Sequence, residues 1–255
     1  MPPVTTRTAL ATRRNGARTE QVAEHLKAYI VAQGLRPGDR LPSEAALIAA
    51  LGMSKGTVRE ATRMLAAQGL IRTRTGPGGG AFVDDITADH AMAMLANFFY
   101  FRDLSVADLY QLRIQLEPEV AAMMAGRVPA EAMARFRAET TRFDHPPRDA
   151  EEERAQHVAS LQFHRDLAAL CPNPLLAFVV GFIAKILSDL TVIRRLYEPH
   201  SRALWQQGHD HHARLLDALE HGTPETARAV MRQHMEAAFG LMAEQEIRVA
   251  RGVLE

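Results

Sequence analysis

One cysteine, Cys171, in 255 residues excludes an internal disulfide framework and points to a reducing cytoplasm. Long apolar runs are also lacking. The longest, Leu175 to Ala184, stops at Lys185 after about half of the roughly 20 residues that a spanning helix requires, so no membrane segment is expected. The N-terminus carries Arg7, Arg13, Arg14 and Arg18 but no apolar stretch fit for a secretory signal, and residues 1–18 read as a disordered basic arm. Net charge is missing too, with 30 basic against 30 acidic side chains. What is present is the balance of a globular protein, 47% hydrophobic and 24% charged, in a chain long enough for two domains.

The neutral total hides an asymmetry. Residues 1–83 hold 12 Lys and Arg against 5 acids, a surplus of seven that the remainder cancels. A basic unit joined to an acidic one suggests a polyanion binder attached to a sensing or assembly domain.

Within the basic unit, Val22, Leu26, Ile30 and Val31 follow helical spacing until Gly34 and Pro37. Ser43 can cap a short second helix that Gly52 ends. Ser54 can cap a third, with Val58, Ala61 and Leu65 as its buried stripe. Ser54, Lys55, Thr57, Arg59 and Arg63 then offer donors to phosphates or base edges, and Arg40 adds a cation in the preceding turn. Two short helices about a glycine turn, the second basic at its start, make a helix-turn-helix. Leu70 to Arg74 and Ala81 to Val83 read as a hairpin whose glycine-rich tip, including Gly78 and Gly79, forms a wing. A dinucleotide-binding loop is excluded, because no helix follows those glycines.

Gly38-Asp39-Arg40-Leu41-Pro42-Ser43-Glu44, Leu51-Gly52-Met53-Ser54, Val58-Arg59-Glu60-Ala61 and Gly69-Leu70-Ile71 resemble the GntR family of bacterial regulators. The resemblance implies operator contacts at Ser54, Lys55, Thr57, Arg59 and the wing glycines. It departs at Gly56, and at Ala45, where relatives carry an arginine.

From about residue 87 onward, helical periodicity dominates and no strand is evident. Leu109, Leu112, Leu116, Val120 and Met123 form one stripe, and an antiparallel helical bundle is the expected architecture. The fold class is therefore mainly α, with an arm at 1–18, a winged helix-turn-helix at 19–84 and a bundle at 85–250. Pro172-Asn173-Pro174 and Gly222-Thr223-Pro224 mark two helix hairpins.

His212 and His234 lie equally far from Thr223, so antiparallel helices bring them to one height, each on an apolar stripe. His164 sits on a third stripe, with small Gly181 expected opposite it. Buried imidazoles demand either mutual hydrogen bonds or a cation, and both readings stay open. Arg113 also falls on a buried stripe. It can pair with Glu117 or take an incoming carboxylate.

Asp108 to Arg113, Leu116-Glu117-Pro118-Glu119, Phe163-His164-Arg165, Asn173-Pro174, His212 and Arg232-Gln233-His234-Met235 resemble the FCD ligand domain of FadR-type GntR regulators. That resemblance implies a divalent metal on His164, His212 and His234, with an aspartate where this chain has Ser160, and an organic acid completing the site. Zinc, nickel and manganese are the expected ions. The expected function is a dimeric, ligand-responsive repressor of a palindromic operator, with Arg113 as effector contact. The alternative is a metal-dependent enzyme fused to a DNA-binding module, for which no HExxH or catalytic partner is evident.

Overall fold

The computed structural model describes residues 6–99, 101–102, 104–198 and 202–252. Among these, three helices come first: α1 (Thr6–Ala32), α2 (Glu44–Leu51) and α3 (Lys55–Ala67). An antiparallel pair follows, β1 (Ile71–Arg74) and β2 (Gly80–Val83), with Ile71 opposite Val83 and Arg74 opposite Gly80. Seven helices complete the chain: α4 (Ala88–Phe99), α5 (Val106–Met124), α6 (Ala130–Arg142), α7 (Ala150–Ala169), α8 (Pro174–Ile193), α9 (Arg202–His221) and α10 (Pro224–Gly252). Two compact units result, Met1–Ala91 and Met92–Glu255.

The first unit is a winged helix-turn-helix. Val22, Ala23 and Leu26 of α1 close over Leu47, Val58, Ala61 and Leu65, with Ile71 and Val83 beneath. Gly34 ends α1 in the left-handed region at φ 61°, where the Leu35 amide reaches back to Ile30 and the Gly34 amide to Val31. Ser43 and Ser54 cap α2 and α3 by accepting from the amides of Ala46 and Thr57. An addition not apparent in the sequence is the segment around Arg40, which bridges Phe82 and exchanges backbone bonds with β2.

Three expectations are corrected here. Helix α1 begins at Thr6, so residues 6–18 are helical rather than a disordered arm; residues 1–5 lie outside the described residues. Ala, Arg and Leu propagate a helix at little cost once Val22 and Leu26 have anchored it. Val31 is 80% exposed, because the buried stripe runs through Val22, Ala23 and Leu26. The boundary falls within α4 and not at 84/85, since Ile86 and His90 still lie beside Gly69 of the first unit.

The second unit is an all-helical bundle with two adjoining clusters. One gathers Val120, Phe136, Phe163, Leu167, Leu215 and Met231; the other Tyr110, Leu161, Phe182, Ile183, Leu187 and Met242. Helix α10 lies along α5, α7 along α8, and α9 against α6 and α10. Asn173 accepts from the amides of Leu175 and Leu176, and Thr223 from that of Thr226, so both hairpin turns form as read. The bidentate pair of Arg228 with Glu119 ties α10 to α5 at the surface.

Helix α5 buries part of the stripe expected of it: Leu109 and Val120 lie in the core and Leu116 packs against it. Leu112 and Met123 are exposed, whereas Val106, Tyr110, Arg113, Glu117, Val120 and Met124 face inward. The buried line thus includes a cation and an anion. Helix α8 has the length and apolarity to cross a bilayer, yet Val180, Ile183 and Leu187 belong to the bundle core and its exposed face carries a Lys185–Asp189 pair.

The wing has no room for a side chain at Gly79, where a Cβ would lie 2.6 Å from the Arg74 carbonyl oxygen and 2.8 Å from that of Gly76. Gly79→Ala is therefore expected to open the hairpin locally. Amide exchange at Arg74 and Gly80 should accelerate by roughly tenfold or more while the bundle's melting temperature stays unchanged. Unaltered exchange would show that the tip relaxes freely.

Candidate functional site

His164 of α7, His212 of α9 and His234 of α10 meet in the bundle interior, each less than a tenth exposed. The His164 Nε2 lies 3.1 Å from that of His234 and 3.3 Å from that of His212. One ligand atom from each lies within 4.8 Å of the others. Their convergence follows from the hairpin geometry, with Leu215, Leu216 and Leu219 fixing α9 and Met231 and Met235 fixing α10.

Glu117 stands behind His164, its Oε2 2.6 Å from the ring Nδ1, and its Oε1 accepts from the Arg113 Nε at 2.5 Å. The contact with His164 is close but poorly aligned for a hydrogen bond, so its force is electrostatic. Burial alone would raise the Glu117 carboxyl; the charge of Arg113 and then His164 outweigh it and hold it at about 2. Burial dominates in the histidines. It lowers His164 despite the pull of Glu117, and pushes His212 and His234 well down, helped by neighbouring histidines and Arg113. All three imidazoles are therefore neutral near pH 7, with lone pairs to offer.

This arrangement fits a cation. Tetrahedral ligands at about 2.0–2.1 Å from zinc sit about 3.3 Å apart, close to both printed spacings. A carboxylate at Nδ1 favours the proton there and turns the bare His164 Nε2 toward its partners, as metal-bound histidines require. Without an ion, that single lone pair has to serve two facing rings. Zinc-like ions also suit an all-imidazole set.

Other expectations are distributed differently. Arg113 pairs with Glu117, and its Nη2 remains buried without a hydrogen-bond partner among the described residues. It lines a cavity of about 130 Å³ that also touches the three histidines and Ser160. Gly181 sits beside Met92 and Arg165 rather than opposite His164. His157 lines the cavity two turns from His164, and His211 packs its ring against His234; neither joins the triad. The role of Glu117 behind His164 is new, although its place one turn after Arg113 and its stripe were visible in the sequence.

In the first unit, Lys55, Arg59 and Arg63 project from α3 with more than half of each side chain exposed. Arg59 and Lys55 both approach Glu44, at 2.8 and 3.8 Å. Thr57 departs from its expected place at a DNA surface. It is buried, with its hydroxyl 2.9 Å from that of Ser54, which suits a capping role. Arg40 donates to the Gly79 carbonyl at 2.5 Å and flanks Gly80, so it braces the wing from below.

The FCD domain family matches residues 108–237, which hold the histidines, Glu117 and Arg113, and the family of bacterial regulatory proteins named gntR matches residues 18–83. The chain belongs to the GntR family, as a regulator with a C-terminal FCD domain. This GntR regulator is 28% identical to the Exu regulon transcriptional regulator of Escherichia coli strain K12 over 85% of its own length and 81% of that relative. It is 25% identical to the HTH-type transcriptional regulator LutR of Bacillus subtilis strain 168, over 79% and 90%. The HTH-type transcriptional repressor NanR of Cronobacter sakazakii is 27% identical over 87% and 84%. Among solved structures, a Streptococcus agalactiae GntR protein superposes with TM-score 0.62 at 21% identity, covering 87% of this chain and 99% of that one. These relatives are DNA-binding regulators rather than enzymes.

Acid should destabilise the bundle through its buried imidazoles. His157, 14% exposed, is lowered by burial from 6.5 to about 4. The unfolded chain takes a proton near 6.5 and the folded chain only near 4, so this stability is complete above 6.5 and is lost as pH falls between the two. The loss approaches roughly 1.4 kcal/mol per pH unit. His157→Asn should flatten the fall in melting temperature between pH 6.5 and 4.5. An identical slope in the variant would contradict the assignment.

Proposed function

We propose that this GntR regulator is a repressor that binds a palindromic operator as a homodimer and is controlled by a small organic acid held beside a divalent metal. Each FCD domain would carry its own site. The observation that carries the reading is the convergence of three neutral Nε2 atoms, backed by Glu117, on a cavity that Arg113 also lines. His164, His212 and His234 would hold the ion. Bound there, it would supply a positive centre for a carboxylate oxygen. Ser160 contributes no anionic oxygen, so the donor set favours zinc or nickel over manganese. A neutral donor set also leaves the ion's charge uncompensated inside the protein, which raises the value of an incoming acid as the last ligand.

Sensing requires that the acid favour one of two states with different operator affinity. On the DNA side, the exposed Lys55, Arg59 and Arg63 and the amides at the start of α3 supply the contacts, with Ser54 at the cap and Gly78 and Gly79 letting the wing backbone approach closely. Arg59 and Lys55 would exchange Glu44 for DNA. Dimerisation has candidate surface in Leu112 and Met123 of α5 and Leu175 of α8, which are exposed in the single chain. A cytoplasmic location follows from this function.

Two experiments test the reading. Arg59→Ala should weaken operator binding by about 1–3 kcal/mol at fixed salt, if the side chain reads a base; unchanged affinity would remove it from the interface. One equivalent of zinc per chain should bind to the full-length protein, and His234→Ala should reduce that affinity by about 100-fold or more, by analogy with lost support at other metal sites. Equal zinc affinity in the variant would contradict the triad as the metal site.

A further inference from the structure

Each cation of α3 has a carboxylate beside it in the free protein. The Arg59 Nε donates to Glu44 Oε2 at 2.8 Å, the Lys55 ammonium lies 3.8 Å from Glu44 Oε1, and Arg63 lies 3.4 Å from Glu60. Nearer the wing tip the cations meet neutral groups. Arg40 donates to the Gly79 carbonyl, and the Arg74 guanidinium lies over the Phe82 ring, 5.1 Å from its centre. The wing therefore presents positive charge to a phosphate without an acid in competition at those two positions, whereas α3 does not.

Glu44 differs from Glu60 in origin. Glu60 and Arg63 are neighbours on one helix, but Glu44 opens α2 and reaches Arg59 and Lys55 only because the helix-turn-helix brings the starts of α2 and α3 together. Its carboxylate is not the cap of α2, since Ser43 accepts from the Ala46 amide. The hydrogen bond from Arg59 holds the carboxyl below its usual range, so it is ionised near pH 7. Exposed ion pairs of this kind contribute little to folding, which leaves their position at the DNA face to be explained.

A phosphate offers Arg59 what Glu44 already supplies, an anionic oxygen, and would leave the carboxylate facing the negative field of the duplex. On mixed sequence, Lys55 and Arg59 gain little by leaving Glu44. A guanine edge offers more: two acceptors placed for the guanidinium fork, with a neighbouring cytosine or adenine amino group as a donor to the released carboxylate. A site lacking these leaves the carboxylate unpaired and is penalised. We propose that Glu44 is a specificity-determining residue of the DNA reader, which withholds Lys55 and Arg59 from phosphates and releases them to base edges. The proposal rests on the reading of α3 as the base-reading helix and adds to it the element that rejects wrong sequences.

Fluorescence-anisotropy titrations of the full-length protein test it, at several salt concentrations, with a mixed-sequence duplex and with a duplex that the wild-type protein selects from a randomised pool. In Glu44→Gln the mixed-sequence duplex should bind about tenfold more tightly, and log affinity should fall with log salt by roughly one to two more units of slope, as Lys55 and Arg59 turn to phosphates. The selected duplex should gain far less, so discrimination between the two falls. Glu44→Asp keeps the charge and should keep most of that discrimination, and Ser43 preserves the α2 cap in both variants. Unchanged discrimination in Glu44→Gln, or weaker binding of both duplexes, would overturn the proposal. So would an equal gain on mixed sequence from Glu24→Gln, which makes the same charge change beside Lys27 on α1. Discrimination lost in Arg59→Ala but kept in Glu44→Gln would overturn the proposal alone; discrimination kept in both would overturn the reading of Arg59 with it.

Discussion

Three neutral imidazoles pointing their Nε2 atoms at one another are a costly thing to bury, and much of the bundle is arranged around that constraint. Nitrogen lone pairs removed from water need a proton or a cation. Protonation is opposed by burial, which lowers all three histidines. The Arg113–Glu117 pair on α5 adds the orienting element, because Glu117 remains ionised and faces the Nδ1 edge of His164. A charged pair inside a helical core is weak evidence of stability, since desolvation offsets most of the attraction. Its position explains it better: the carboxylate beside the His164 Nδ1 favours a proton on that nitrogen, and Arg113 lines the cavity.

The two units divide the work along the charge asymmetry of the chain. The basic unit offers short capped helices, exposed cations and a glycine wing, a polyanion-binding surface that the gntR match identifies as a DNA reader. The acidic unit holds a cavity beside potential metal ligands. The regulators it resembles align with it over 79%, 85% and 87% of its length, so the likeness takes in both units.

Most of this plan was legible in the sequence, for identifiable reasons. Capping residues, glycine stops and proline starts are local, so Ser43, Ser54, Asn173 and Thr223 fixed helix starts that the structure retains. The meeting of His212 and His234 followed from counting outward from one turn. Facing directions were harder. On α5 the expected stripe failed at Leu112 and Met123, which are apolar yet exposed, while Leu109, Val120 and the charged Arg113 are buried as read and Glu117 joins them. Thr57 looked like a DNA contact by type and position, but its hydroxyl is taken by Ser54. Gly181 was placed by analogy of height alone, and α8 presents it to Met92. Propensity and periodicity report on one helix at a time, whereas these features depend on which neighbours the helix acquires.

The most direct test of the central account is X-ray absorption at the zinc edge on the full-length protein loaded with one equivalent of zinc. The account predicts three imidazole nitrogens at about 2.0–2.1 Å and a remaining light-atom ligand, with that imidazole signal lost when His164, His212 and His234 are replaced together by alanine. A zinc environment with fewer than two imidazoles, or one unchanged in the triple variant, would contradict it.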